Sequence, residues 1–157
     1  MEKISIENVL KLDSNDAIIT LDDFIVKKCN YGEDLGKLTE AEKVFYFNQE
    51  FEKEVNNGGI DQYFFNSAGN NSHETVKSLR LIEAEKTAII LQEAINLFPH
   101  KTIPHNREER QEILEEIREK ADDKFNELDE RFYKYEDDLN SLNLEFIKKH
   151  IVEFTAG

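Results

Sequence analysis

The side chains that most often bind metals are few in this chain, and they do not cluster. The four histidines, His73, His100, His105 and His150, are scattered, and none stands in an HxxxH, HExxH or ExxH frame. A zinc or di-iron site in a helical protein needs ligands that recur at helical spacing on facing helices. We therefore predict no metal site and no cofactor.

The sequence also gives no sign of covalent catalysis. The single cysteine, Cys29, has no CxxC partner and lies among apolar residues, which excludes an internal disulfide and favours a core position. No GxSxG elbow, P-loop or GxGxxG motif is present. Carboxylates are abundant, but a general acid or base also needs a partly desolvated cleft to shift its pKa. The sequence predicts that the protein is not an enzyme.

The most unusual local feature lies at residues 54–66, where small amides, two glycines and an aromatic triplet meet between two predicted helices. In the structural interpretation, which we favour, Gly58 and Gly59 reverse the chain and the aromatic residues fill the core. In the functional interpretation, Asn57, Asp61 and Gln62 contact a small ligand or a partner. The residues of this motif are Asn57, Gly58, Gly59, Asp61, Gln62 and Tyr63.

The charge balance is the clearest global signal. Thirty-four acidic residues against twenty basic ones give a net charge of −14. A surface of this sign repels phosphate backbones and anionic lipid and attracts cationic partners. The excess is uneven, since residues 107–138 hold 14 acids and 7 bases, whereas residues 55–106 hold 5 and 4. We predict a protein partner, with no direct binding to nucleic acid or membrane.

The chain is predicted to be cytoplasmic. Its first residues, Met1 to Ile4, have neither the basic nor the apolar region of a secretory signal. No apolar run approaches the roughly 20 residues needed to span a bilayer.

Helical periodicity accounts for most of the sequence. Residues Thr39 to Glu42 form a predicted capping box, and the helix behind it runs to about Asn56. No run alternates with period two, so we predict an all-α fold, a single compact domain over residues 1–157 with seven to nine helices and little or no sheet. The other predicted helices cover residues 16–28, 60–66, 73–98, 107–124, 125–135 and 142–154. The predicted core contains Val44, Phe47, Phe51, Val55, Phe64, Leu79, Ile82, Ile89, Leu91, Ile95, Phe98, Phe132 and Phe146, and Val152 is also predicted to face inward.

One predicted helix carries most of the excess charge. From Arg107 to Lys124 the apolar stripe is thin, so only a narrow face of this helix can be buried. Its carboxylates are the predicted partner-binding residues, with two acids of an earlier helix as secondary candidates. They are Glu108, Glu109, Glu112, Glu115, Glu116, Glu119, Asp122 and Asp123, followed by Asp22 and Asp23.

Several stretches resemble a bacterial family of unknown function whose best-known member is an acidic DNA-mimic protein, number nineteen of its series. The most specific match is the motif at residues 57–63, followed by Leu128-Asp129-Glu130-Arg131-Phe132-Tyr133, which is similar to the family's LDxxFY stretch. The resemblance covers roughly residues 38–133. Where the family pattern has a glycine before an alanine, this chain has Glu83-Ala84, so we predict that the helix continues through this point.

The resemblance implies an all-α fold and, in the mimic member, a dimer whose carboxylates stand in place of DNA phosphates and capture a DNA-binding repressor. We therefore expect a non-catalytic acidic protein that sequesters a basic DNA-binding protein and that can form a homodimer. Two alternatives stay open. One is an immunity protein that neutralises a basic toxin, and the other is a ligand-binding or enzymatic domain with its site near residues 57–62.

Overall fold

In the computed structural model, residues 3–155 are described, and over that range the chain contains eight α-helices and no strand. The predicted all-α fold is confirmed. Short 3-10 turns cover Leu35–Lys37, Ser67–Asn71 and Pro99–Lys101. The helices are α1 (Ile6–Val9), α2 (Ser14–Lys28), α3 (Glu40–Phe65), α4 (Ser72–Leu81), α5 (Glu85–Ile95), α6 (Arg107–Tyr133), α7 (Leu139–Lys149) and α8 (Ile151–Thr155).

The chain divides into two compact units, and the prediction of a single domain stays a prediction. The first unit comprises the residues up to 46 and those from 138 onward, and the second comprises residues 47–137. In the first unit, α2 packs against α7 and α1, and α8 packs against α1 and α7. The predicted capping box is present here, because the Glu42 N–H donates to Thr39 Oγ1 (3.1 Å) and the Thr39 N–H donates to Glu42 Oε1 (2.9 Å).

The second unit is built around a cluster of aromatic rings. Phe51 meets the rings of Tyr63 and Phe132 edge to face, at centroid distances of 4.9 and 5.6 Å. Phe64 meets Phe98 in the same way at 4.9 Å. Edge-to-face pairs add to the stabilisation that burial of the rings already gives. The aromatic part of the predicted core is therefore present.

Two of the residues that were individually predicted to face inward are exposed. All the other predicted core residues are buried, but Ile89 is 41% exposed and Val152 is 75% exposed. Ile89 lies two residues from the buried Leu91, which is about 200° around a helix, so both cannot face one core. His150 is not helical, and α8 therefore begins with a new phase in which Phe154 and not Val152 is buried.

The predicted helix over residues 73–98 is wrong at its centre, because the chain breaks there into α4 and α5. Glu83 adopts a left-handed conformation (φ 68°). The Ala84 N–H donates to the Leu79 carbonyl (2.8 Å), and the Glu83 N–H donates to the Arg80 carbonyl (2.9 Å). These two bonds form a Schellman motif, which usually places glycine where Glu83 lies. The backbone here keeps the shape that a glycine would favour, although the side chain is glutamate.

Replacement of Glu83 with glycine is expected to raise the free energy of unfolding by about 1 kcal/mol, because glycine adopts positive φ without a steric penalty. Urea denaturation measures this change. Replacement with alanine removes the same charge but keeps the strained Cβ, and it is expected to give no gain. Equal stabilisation by alanine and glycine would show that loss of the carboxylate, and not backbone strain, is responsible.

Candidate functional site

The acidic helix α6 is longer than predicted, running without a break through 27 residues. Its N-cap is Asn106, whose Oδ1 accepts a hydrogen bond from the Glu109 N–H (2.9 Å). Glu108 and Glu109 lie in the first turn, where negative charge interacts favourably with the helix dipole. The start of the helix is thus fixed by local interactions.

One narrow stripe of α6 is buried, and it consists of Arg110, Leu114, Ala121, Phe125, Leu128 and Phe132. All eight carboxylates predicted on this helix are exposed. At 3.6 residues per turn they lie within an arc of about 140° on the side opposite the stripe. We call this surface, residues Glu108, Glu109, Glu112, Glu115, Glu116, Glu119, Asp122 and Asp123, the acidic face.

Most carboxylates of the acidic face are not neutralised by the chain itself. Among residues 3–155, an ion pair is found for Glu115, which contacts Arg118 (2.8 Å), and none is found for the other seven. The basic residues that directly neighbour its carboxylates in sequence are Arg107, Arg110, Arg118, Lys120 and Lys124. The eight carboxylates cover about 22 Å of helix axis. That density lies between those of a DNA duplex, about one charge per 1.7 Å, and of one of its strands, about one per 3.4 Å.

The structure extends this surface beyond the predicted residues. Glu130 is exposed and falls within the same arc, seven residues after Asp123. Glu130 was predictable from the sequence, because spacings of three, four and seven residues also link the other acids of the acidic face. The secondary candidates differ, since Asp22 is half-buried and Asp23 forms an ion pair with Lys27 (2.8 Å). Both lie on α2, in the first unit.

Arg110 anchors the first turns of α6 from inside. Its side chain is fully buried and donates five hydrogen bonds to the segments around it. Burial lowers the pKa of the guanidinium to about 10, so Arg110 stays charged at neutral pH. A buried charge of this kind needs its hydrogen bonds satisfied. The acceptors are the carbonyl oxygens of Phe64, Asn66, Pro104 and His105 and the side-chain Oδ1 of Asn70, at 2.6–3.2 Å.

The two glycines of the motif shape a kink in α3. Gly59 has φ 84° and ψ 179°, a conformation almost restricted to glycine. The kink frees the Ile60 N–H, which donates to Asp129 Oδ1 on α6 (2.8 Å). Burial raises the pKa of Asp129, and the Ile60 N–H partly offsets this effect. At Gly58, a Cβ would collide with the side chain of Gln62. The helix predicted to end near Asn56 therefore continues through a kink.

The polar side chains of the motif are mostly engaged within the second unit. The Gln62 Nε2 donates to Glu54 (2.8 Å), and Asp61 accepts two hydrogen bonds from Arg118 (2.9 Å each). The fully buried Tyr63 donates to Thr75 Oγ1 (3.1 Å), and burial raises its pKa to about 12. Asn57 is exposed. These contacts give the motif a structural role, which fits the structural interpretation of this motif better than the functional one.

An exposed aromatic ring, Phe65, lies beside the acidic face. The prediction that the whole aromatic triplet of residues 54–66 fills the core is therefore wrong for this residue. Phe65 is 43% exposed and shares an open groove with Glu108, Glu112, Glu115, Glu116 and Gln111. The guanidinium of Arg107 lies 6.0 Å from the centroid of the Phe65 ring. An aromatic floor with carboxylates at its edge can accept the aliphatic stem and the cationic end of a lysine or arginine.

Neither a metal cluster nor a membrane-spanning helix is found in the described part of the chain. Over residues 3–155, no three His, Cys, Asp or Glu side chains are grouped so that they could hold a metal ion. No helix in that range is both long enough and apolar enough to cross a bilayer.

The described residues form an all-α fold with a kinked helix, and a row of carboxylates, most of them without an internal ion pair, is exposed to solvent. These two features define the class as an acidic all-α protein. Within that class, the chain belongs to the family described as DMP19-like protein, whose family model matches residues 36–150. The resemblance predicted from residues 38–133 is confirmed. No curated protein and no solved structure matches this chain.

Proposed function

We propose that this protein is a non-catalytic interaction protein that binds and sequesters a basic DNA-binding protein, such as a transcription regulator. The acidic face of α6 occupies the surface on that partner which otherwise binds the DNA backbone. Membership of the DMP19-like family supports a role as a DNA mimic.

The proposal depends most on the seven carboxylates of the acidic face that have no ion pair within the described residues. A carboxylate already paired with lysine has little attraction left for a partner, whereas an unpaired one keeps its full charge. Proteins that bind DNA carry lysine and arginine at phosphate positions. A rigid helix with about one carboxylate per 2.8 Å of axis offers such side chains a comparable density of negative charge.

The groove beside Phe65 adds a second kind of contact. Long cationic side chains have apolar stems, and an exposed ring next to Glu112 and Glu116 can pack against a stem while a carboxylate binds its end. DNA itself offers no equivalent of this ring at its phosphates. We therefore expect Phe65 to contribute to affinity beyond the charge effect.

The test is capture of partners by immobilised protein at low salt, followed by elution with duplex DNA. The variant Glu108→Gln, Glu112→Gln, Glu116→Gln, Glu119→Gln removes four charges from the acidic face. We expect DNA-binding proteins to be captured by the wild type, to be released by duplex DNA, and to be captured at least about tenfold less by this variant.

A matched control removes four exposed carboxylates elsewhere through Glu7→Gln, Glu33→Gln, Glu74→Gln and Glu145→Gln. The control has the same net charge as the α6 variant and is expected to capture partners almost as well as the wild type. Equal loss in both variants would mean that only net charge matters and would contradict the proposal. Capture of a toxin whose binding is unaffected by duplex DNA would favour an immunity protein instead.

A further inference from the structure

Among the cations that flank the acidic face, Arg118 is the one that forms an ion pair with it within the described residues. Arg118 is on α6, three residues after Glu115 and four before Asp122, so both carboxylates are within reach of its side chain. Arg118 is 33% exposed. A guanidinium in this position is able to neutralise several carboxylates of the face and to repel a cationic partner.

The structure shows that this guanidinium is mainly held from the other side. Its Nε and Nη2 atoms donate to the two carboxylate oxygens of Asp61, both at 2.9 Å, and only Nη1 reaches the acidic face, donating to Glu115 (2.8 Å). Two parallel bonds of this kind fix the orientation of the guanidinium plane. The bonds to Asp61 are the main cause that raises the pKa of Arg118.

Asp61 is directed to this position by the kink in α3. It lies two residues after Gly59, and the Ile60 N–H between them is held by Asp129 of α6 (2.8 Å). The kinked motif at residues 57–63 thus places a carboxylate against Arg118. This position also accounts for the acidic residue in the motif, which the kink at Gly59 by itself does not require.

We propose that Asp61 is a positioning residue that holds two of the three guanidinium nitrogens of Arg118 away from the acidic face, so that Arg118 pairs there with Glu115 alone and a cationic partner meets the other carboxylates of the face without competition from Arg118. The inference rests on the proposed function, because it concerns the affinity of the same surface. Asp61 acts through Arg118 and does not itself contact the partner.

The test measures binding of a fluorescent short oligolysine peptide at low salt by a double-mutant cycle. Asp61→Asn is expected to weaken binding about threefold, because Arg118 is then free to pair with carboxylates of the face. Arg118→Gln is expected to strengthen binding by a similar factor. In the Arg118→Gln background, Asp61→Asn is expected to have almost no further effect.

Matched controls separate this effect from net charge and from stability. Glu74→Gln changes the net charge as Asp61→Asn does, and Lys77→Gln changes it as Arg118→Gln does, both at exposed positions of α4. Each control is expected to alter binding less than about 1.5-fold. Asp61→Asn and Arg118→Gln break the same ion pair, so a purely structural role predicts that both weaken binding.

Three outcomes overturn the inference. Weakening by both single variants would show that the pair matters only for stability. An effect of Asp61→Asn that persists in the Arg118→Gln background would make Asp61 a direct contact. Either of these two results leaves the proposed function intact if the four-charge α6 variant binds the peptide more weakly than its matched control does. If that variant binds as well as its matched control, the proposed function fails, and the inference fails with it.

Discussion

Replacement of Arg110 with methionine is expected to lower the free energy of unfolding by about 4 kcal/mol. Methionine fills a similar volume, but it removes five hydrogen bonds to oxygen acceptors, one of them buried and four partly buried. Each buried acceptor that loses its hydrogen bond costs about 1 kcal/mol or more, and bonds to a charged donor are the stronger ones. A loss of this size would be exceptional for a single substitution.

Urea denaturation of Arg110→Met and of Arg107→Met gives the comparison. Arg107 is on the same helix, and its exposed side chain donates to the Phe65 carbonyl and to Asn66 (3.1 Å each). Its replacement is expected to cost less than about 1 kcal/mol, because water can satisfy the acceptors that it leaves. Similar losses in both variants would contradict the role of Arg110 as the buried anchor of α6.

Replacement of Gly59 with alanine is expected to lower the free energy of unfolding by about 3 kcal/mol. The backbone at φ 84°, ψ 179° is unfavourable for any residue with a Cβ. The new Cβ would also lie 2.5 Å from Asp129 Oδ2, which must move and so weakens its bond to the Ile60 N–H.

Gly36→Ala is the matched control, because its Cβ would meet only Asp34 at an ordinary 3.5 Å and its φ is not positive. We expect this change to alter the free energy of unfolding by less than about 1 kcal/mol. Thermal denaturation followed by circular dichroism measures both variants. If Gly59→Ala were as stable as the wild type, the kink would not depend on glycine.

The parts of the fold that local patterns determine were predictable from the sequence. The capping box at Thr39 and Glu42 requires only two side chains three residues apart. The thin apolar stripe of α6 indicated that its carboxylates would be exposed, and all eight are. In both cases the information lies within a few turns of one helix.

Features that depend on distant contacts were not predictable in the same way. Nothing in the local pattern marks Glu83 as left-handed, because helix propensity alone continues through a glutamate. Arg110 lies four residues before the buried Leu114 and so falls on the buried stripe, but an arginine is normally expected at the surface. Its burial depends on oxygens that come from residues 64–70 and 104–105. The bond between Asp61 and Arg118 likewise joins residues 57 positions apart.

The most direct test of the account is an NMR titration of isotope-labelled protein with the oligolysine peptide. If the unpaired carboxylates of α6 are the surface that a cationic partner contacts, amide shifts will be largest over residues 108–123 and at Phe65. The four-charge α6 variant will then lose these shifts, while its matched control keeps them. Shifts spread evenly over the acids of α2, α3 and α6 would contradict the account, because the negative charge would then act as a general property of the surface.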